Sequence, residues 1–168
     1  MDGAEGTMGD ITLTLYRPAL AELAFRQKLL ADPATMTYNH AYGGVIDFPE
    51  ARWADWYGKW SDGEHFYRYL RRVEDGAFVG EIAYRLEGER WMCDILVLAE
   101  ERGRWYGSTG LGLLCAVARA NGVKLLYDDI AADNPAVEMF LRHGFRVVER
   151  TERSILVCKD LLLGEGNR

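Results

Sequence analysis

The stretch from Glu100 to Gly112, EERGRWYGSTGLG, holds four glycines and two arginines within thirteen residues. Glycine lets a ligand approach backbone amides that a Cβ would shield, and guanidinium groups give charge-assisted donors to phosphate oxygens. Arg102, Gly103, Arg104, Gly107 and Ser108 therefore make a candidate anion loop, provided that the segment runs from a strand into a helix. The first-turn amides and the positive end of the helix dipole would then face one space. A plain strand-to-helix connection is the other reading of the same glycines. Two better-known phosphate loops do not fit. The chain has no Gly-Lys-Ser/Thr, and GSTGLG, superficially a dinucleotide fingerprint, follows no parallel βαβ strand.

The remaining chemistry-bearing residues are scattered. His40, His65 and His143 form no cluster, and His143 reads as a cation at a helix C-terminus. Cys93, Cys115 and Cys158 lie too far apart for a disulfide framework or a paired metal motif, so they are expected to be buried thiols, and no metal is expected. Trp53, Trp56, Tyr57 and Trp60 recur at spacings of three and four. They either pack on a core or wall a substrate cleft, where aromatic faces can hold a cation.

The elements that must position these residues follow from periodicity. ITLTLYRP alternates as a strand ended by Pro18, and Leu20, Leu23, Ala24, Leu29 and Leu30 recur at helical spacing. A second helix starts near Pro49. HFYRYLRRV, AFVGEIAYRL and RWMCDILVLA are strands separated by the turn signals EDG and EGE, an antiparallel meander. A helix opening near Ser108 presents Leu111, Leu114, Val117 and Ala118 on one face and stops at Gly122. VKLLYDDIA is a strand, NPAVEMFLRHG a short helix with Asn134 as N-cap, and FRVVER and SILVCKDL a closing hairpin. The order predicts one mixed α/β sheet with helices on its faces. A chain of 168 residues supports one domain, here 11–162, with residues 1–10 expected to be disordered and 163–168 a tail.

Composition excludes some partners. A net charge of -6 argues against a nucleic-acid surface. No apolar run approaches the roughly 18 residues of a membrane helix, and no basic-then-apolar leader is visible, so a cytoplasmic protein without membrane contact is expected. The many aromatic residues are compatible with a homodimer contact.

Val97, followed five residues later by R102-G-R-W-Y-G107 opening a helix, and then DDIAADNPAVEMFLRHGF with Asn134 and Gly144-Phe145, form one longer pattern. In it the chain resembles the GNAT superfamily of acyl-CoA-dependent N-acyltransferases. The superfamily motif is Q/R-x-x-G-x-G/A, so Trp105 stands where the motif has its first glycine. A register beginning at Arg104 is the alternative, but it loses the spacing from Val97.

The resemblance covers most of the chain and implies a single GNAT-like domain, a largely antiparallel mixed sheet of about seven strands flanked by about four helices. It implies acetyl-CoA as cosubstrate, with pantetheine along a bulged strand at Ile95, Leu96 and Val97. Pyrophosphate would lie on the loop of Arg102, Gly103, Arg104, Trp105, Tyr106, Gly107 and Ser108, with Asn134 and Phe140 nearby. The acceptor would be an amine, from a small molecule or a protein. Asp129 occupies the place where some members carry a catalytic Glu, and Glu81 and Asp94 on the meander are the other candidate bases. Phe140 stands where many members have a Tyr that protonates the leaving thiolate, and Tyr106 or Tyr127 could substitute. A GNAT-fold binding or regulatory protein is the alternative to an active enzyme.

Overall fold

The computed structural model describes residues 5–8 and 11–163, with side chains from Thr12 onward. Eight strands form one sheet: β1 (Glu5–Met8), β2 (Ile11–Tyr16), β3 (His65–Arg72), β4 (Phe78–Glu87), β5 (Arg90–Val97), β6 (Leu125–Ala131), β7 (Arg146–Arg150) and β8 (Ser154–Asp160). Their order is β1-β2-β3-β4-β5-β6-β8-β7, antiparallel throughout except for β5 with β6. The helices are α1 (Ala24–Ala31), α2 (Trp53–Lys59), α3 (Tyr106–Ala120) and α4 (Ala136–Arg142). Among the described residues no helix is long and apolar enough to cross a membrane.

The expected order of elements is the order observed. The additional strand is Glu5–Met8, within the segment 1–10 expected to be disordered; it pairs antiparallel with β2, Met8 opposite Ile11. Backbone pairing needs no apolar side chain, which is why a composition rich in Gly and polar residues did not signal it. Residues 1–4, 9–10 and 164–168, which include most of the expected tail, lie outside the described residues.

Strand alternation sends side chains to two different covers. Leu13, Leu15, Leu70, Ile82, Tyr84, Cys93, Leu126 and Val157 pack with Leu111, Leu114 and Ala118 of α3 and Val137 and Phe140 of α4. On the opposite face Tyr67, Tyr69 and Ala83 meet Phe25, Trp56 and Trp60, and Leu96 packs against the cluster of Leu23, Leu30, Phe48 and Trp53. All three cysteines are buried and free, as their spacing predicts.

Candidate acetyl-transfer site

β5 and β6 touch only at Trp91↔Leu126 and Met92↔Tyr127. Beyond that point they separate, while β5 stays paired with β4 up to Val97 and β6 with β8 up to Ala131. One backbone edge of each strand is thereby left facing a gap. The sequence reading expected a bulge in this strand to free its amides. β5 instead keeps an unbroken register against β4, from Glu87↔Arg90 to Gly80↔Val97, and the opening from β6 does that work.

The gap widens into a cleft of about 1370 Å³ between α1 and α2 on one side and α3 and α4 on the other. Ile95, Leu96 and Val97 border it, their side chains alternating between the two covers. A Cβ on Gly110 of α3 would meet Ile95 Cδ1 at 3.2 Å, and one on Gly107 would meet Val97 Cγ2 at 3.8 Å. Leu96 turns to the cluster under α1 and α2.

The loop between β5 and α3 ends in Trp105, which sits at φ +67°, ψ 9°, a left-handed conformation, as the residue just before the helix. Trp105 is 58% exposed and borders the cleft beside Tyr106, Gly107 and Ser108, whose first-turn amides have no partner within the helix. Gly103 is also left-handed, at φ +79°. Arg102 does not stand free over the loop: its Nη1 and Nη2 donate to the carbonyls of Ala34 (3.2 Å) and Thr35 (2.8 Å), and it thereby joins the loop to the end of α1. Thr35 Oγ1 accepts from Ala99 N-H at 3.0 Å and closes the same junction. Arg104 is exposed and pairs with Glu101 at 3.3 Å. Tyr106 is buried and its hydroxyl accepts from Arg72 at 3.1 Å.

Ser108 Oγ lies 2.8 Å from His143 Nε2, a contact that joins the start of α3 to the end of α4. His143 was expected to be a cation at a helix terminus. Burial and the nearby Lys159 and Arg142 hold its pKa below the ordinary imidazole value, which works against a cation at this helix end. Asn134 Oδ1 accepts from Ala136 N-H at 2.9 Å and caps α4 from the cleft side. Phe140 is 1% exposed and packs edge-on against Phe145, with centroids 4.9 Å apart.

The three expected carboxylates separate by environment. Asp129 on β6 is exposed and borders the cleft. Glu81 is buried, and both its oxygens accept from Arg26 Nη1, at 2.6 and 2.8 Å, while Tyr67 donates its hydroxyl to Oε2. Burial is the largest influence on Arg26 and works against its charge, but Glu81 and Tyr67 together outweigh it, and the guanidinium stays protonated. Asp94 borders the cleft and pairs with Arg85. Its side chain is 60% exposed, and its pKa is raised, first by desolvation and also by Glu81, against the pull of Arg85. Sequence reasoning missed a fourth carboxylate, Asp128, which also borders the cleft. Desolvation, followed by repulsion from Asp94, pushes its pKa well above the usual carboxylate range. The doublet Asp128-Asp129 on an otherwise apolar strand was the available signal, since alternation must send one of the two to each face.

The aromatic residues of α2 divide between the two roles foreseen for them. Trp53 is packed, with Nε1 donating to the Phe48 carbonyl at 3.0 Å, and Tyr57 donates to the Pro18 carbonyl at 2.8 Å. Trp56 and Trp60 border the cleft, stacked at 5.5 Å. The cation over the Trp56 face is the chain's own Arg26, 4.4 Å from the ring centroid.

Comparisons with known proteins accord with this geometry. Over 93% of its length the chain superposes on 92% of a phosphinothricin acetyltransferase from Sinorhizobium meliloti in complex with AcCoA, at TM-score 0.72 and 17% identity. It covers 94% of itself and 99% of a GNAT-family acetyltransferase from Bacillus anthracis, at TM-score 0.73 and 12% identity. It covers 89% of itself and 94% of yncA from Salmonella typhimurium with its cofactor acetyl-CoA, at TM-score 0.68 and 18% identity. A search of curated protein sequences gave no match. The model of the acetyltransferase (GNAT) family matches residues 27–145, from α1 through the loop and α3 to the end of α4. The chain belongs to the GNAT family of acetyltransferases.

Proposed function

We propose that the protein transfers the acetyl group of acetyl-CoA to a primary amine by direct attack while both are bound. The observation that carries this reading is the gap between β5 and β6 beside the N-terminus of α3. Two of the similar structures hold acetyl-CoA, and this chain offers groups suited to that ligand. The free edge of β5 from Cys93 to Val97 suits the pantetheine amides, and the amides from Gly103 to Ser108 suit pyrophosphate at a helix dipole. An unpaired N-H of β5 polarises the thioester carbonyl. Holding amine and thioester in one cleft converts a bimolecular encounter into an internal step.

The amine must lose a proton. Asp94 and Asp128 border the cleft, and their raised pKa values make either a stronger proton acceptor than an ordinary carboxylate, directly or through water. Glu81, taken up by Arg26 and Tyr67, positions rather than accepts, and Asp129 stays the exposed alternative. Phe140 has no proton to give the leaving thiolate. The Tyr106 hydroxyl is engaged by Arg72, and Tyr127 lies beside Cys158 rather than on the cleft. The missing donor at position 140 favours a second reading, a protein that binds acetyl-CoA without turnover.

Calorimetric titration with acetyl-CoA, paired with thiol release in the presence of an amine panel, separates the readings. Micromolar binding with amine-dependent thiol release is expected. Binding without release supports the second reading, and no binding at millimolar ligand removes both.

A further inference from the structure

We infer that the amine acceptor carries a carboxylate, which makes it a free amino acid or a close analogue, and that Arg26 selects it. The inference rests on the acetyl-transfer reading of the same cleft.

A guanidinium has five N-H donors. Arg26 gives only Nη1 to Glu81, at 2.6 and 2.8 Å. Its Nε is sealed from solvent and has no partner, and among the described residues Nη2 makes no hydrogen bond. Yet Arg26 borders the cleft with 16% of its side chain exposed. It is also held rigidly: the group lies 4.4 Å from the Trp56 centroid and 5.4 Å from that of Tyr67, its own backbone N-H donates to Tyr69 Oη at 3.2 Å, and Glu81 is fixed in turn by Tyr67. A buried, oriented guanidinium at the border of a cleft, with Nε and Nη2 unused, is a costly arrangement unless something completes it.

The chemistry of the cleft says what that is. Planar donors of this kind suit a carboxylate oxygen. Glu81 balances the Arg26 charge, so the site is no general sink for anions, and its pull on a ligand is directional. Asp94, paired with Arg85, and Asp128 border the opening between β5 and β6, where their carboxyl oxygens offer hydrogen-bond acceptors to an amine. One cleft thus offers guanidinium donors for a carboxylate end and carboxyl acceptors for an amine end, the pattern of an amino acid. A polyamine or a peptide lysine would leave the Nη2 donors unanswered.

The test uses the full chain with acetyl-CoA and three matched panels: the twenty free L-amino acids, their carboxamides and the corresponding decarboxylated amines. Thiol release is expected with at least one free amino acid, and its carboxamide and amine should lose about 10- to 100-fold in kcat/KM, the span of a charge-assisted hydrogen bond. Arg26→Lys keeps the positive charge and loses the fork. It should raise KM for the amino acid about tenfold or more, with KM for acetyl-CoA unchanged, and should collapse the discrimination between acid and amide. A merely structural role would lower all three panels together. Turnover of amides or amines equal to that of the acids overturns the inference. So does acetyl-CoA binding with no free amino acid accepted, an outcome that leaves the acetyl-transfer reading standing. Loss of acetyl-CoA binding itself would remove both.

Discussion

Trp105 shows how a motif can change its residue and keep its backbone. At φ +67° it takes the left-handed conformation that glycine adopts freely and that costs other residues roughly 1–2 kcal/mol. The position needs that turn so that the chain can leave the loop and enter α3 with its amides free, and the Trp105 side chain is exposed at the cleft border. Trp105→Gly is therefore expected to hold acetyl-CoA affinity within about threefold while stability changes by no more than about 1 kcal/mol, relief of strain being offset by the added freedom of the unfolded chain. Trp105→Val, β-branched and strongly disfavoured at positive φ, should weaken acetyl-CoA binding about tenfold or more. Calorimetry on the two variants checks both, and equal losses would mean that the indole itself is a contact.

At the scale of elements, the site depends on how closely β4, β5 and α3 approach one another. Gly80 lies opposite Val97, and a Cβ there would collide with the backbone carbonyl oxygen of Leu96. Gly110 faces the sheet, and its added Cβ would meet Leu70 Cδ1 at 2.8 Å, the tip of a side chain that can rotate. The first clash can be relieved only by moving a strand; the second needs a rotamer change in a filled core. Gly80→Ala is expected to cost about 3 kcal/mol or more, with acetyl-CoA binding lost because the edge of β5 shifts. Gly110→Ala should cost about 1–2 kcal/mol, in the range for an overpacked core. Urea unfolding gives the order, and an equal cost for the two would show that β5 yields as readily as a leucine tip.

For the molecule as a whole, the cleft stores a stability cost in the carboxyl groups that reading assigns to proton transfer. The folded-state pKa of Asp128 is raised, so the folded protein holds that proton over a pH range in which the unfolded chain has released it. Stability from this group is present at low pH and is lost as pH rises from the ordinary carboxylate value, about 4, through the folded value. Asp128→Asn is expected to match the wild type near pH 4, to exceed it in melting temperature at pH 8, and to lose turnover. A melting difference that does not grow with pH would show that Asp128 carries no such cost.

Much of this architecture was legible before any coordinates. Alternation in ITLTLY and RWMCDILV, the helical spacing through Leu111, Leu114 and Ala118, and Gly122 and Gly144 as stops are local signals, and local signals determine elements. Asn134 likewise capped the helix that its position next to Pro135 suggested. The strand at Glu5–Met8 was not legible, because its stability comes from an edge that only the folded sheet provides. Nor was the fate of the charged residues. Arg102 turned to two carbonyls beyond the α1 end, Glu81 was claimed by Arg26 from 55 residues away, and Asp128 gained its shifted pKa first from burial and then from Asp94 on another strand. The residue types, their order along the chain and the loop between strand and helix were determined by the sequence alone. The opening between β5 and β6, and the division of the carboxylates into paired, exposed and desolvated, were decided by tertiary structure, because burial and charge-charge energies depend on distances through space that no spacing along the chain contains.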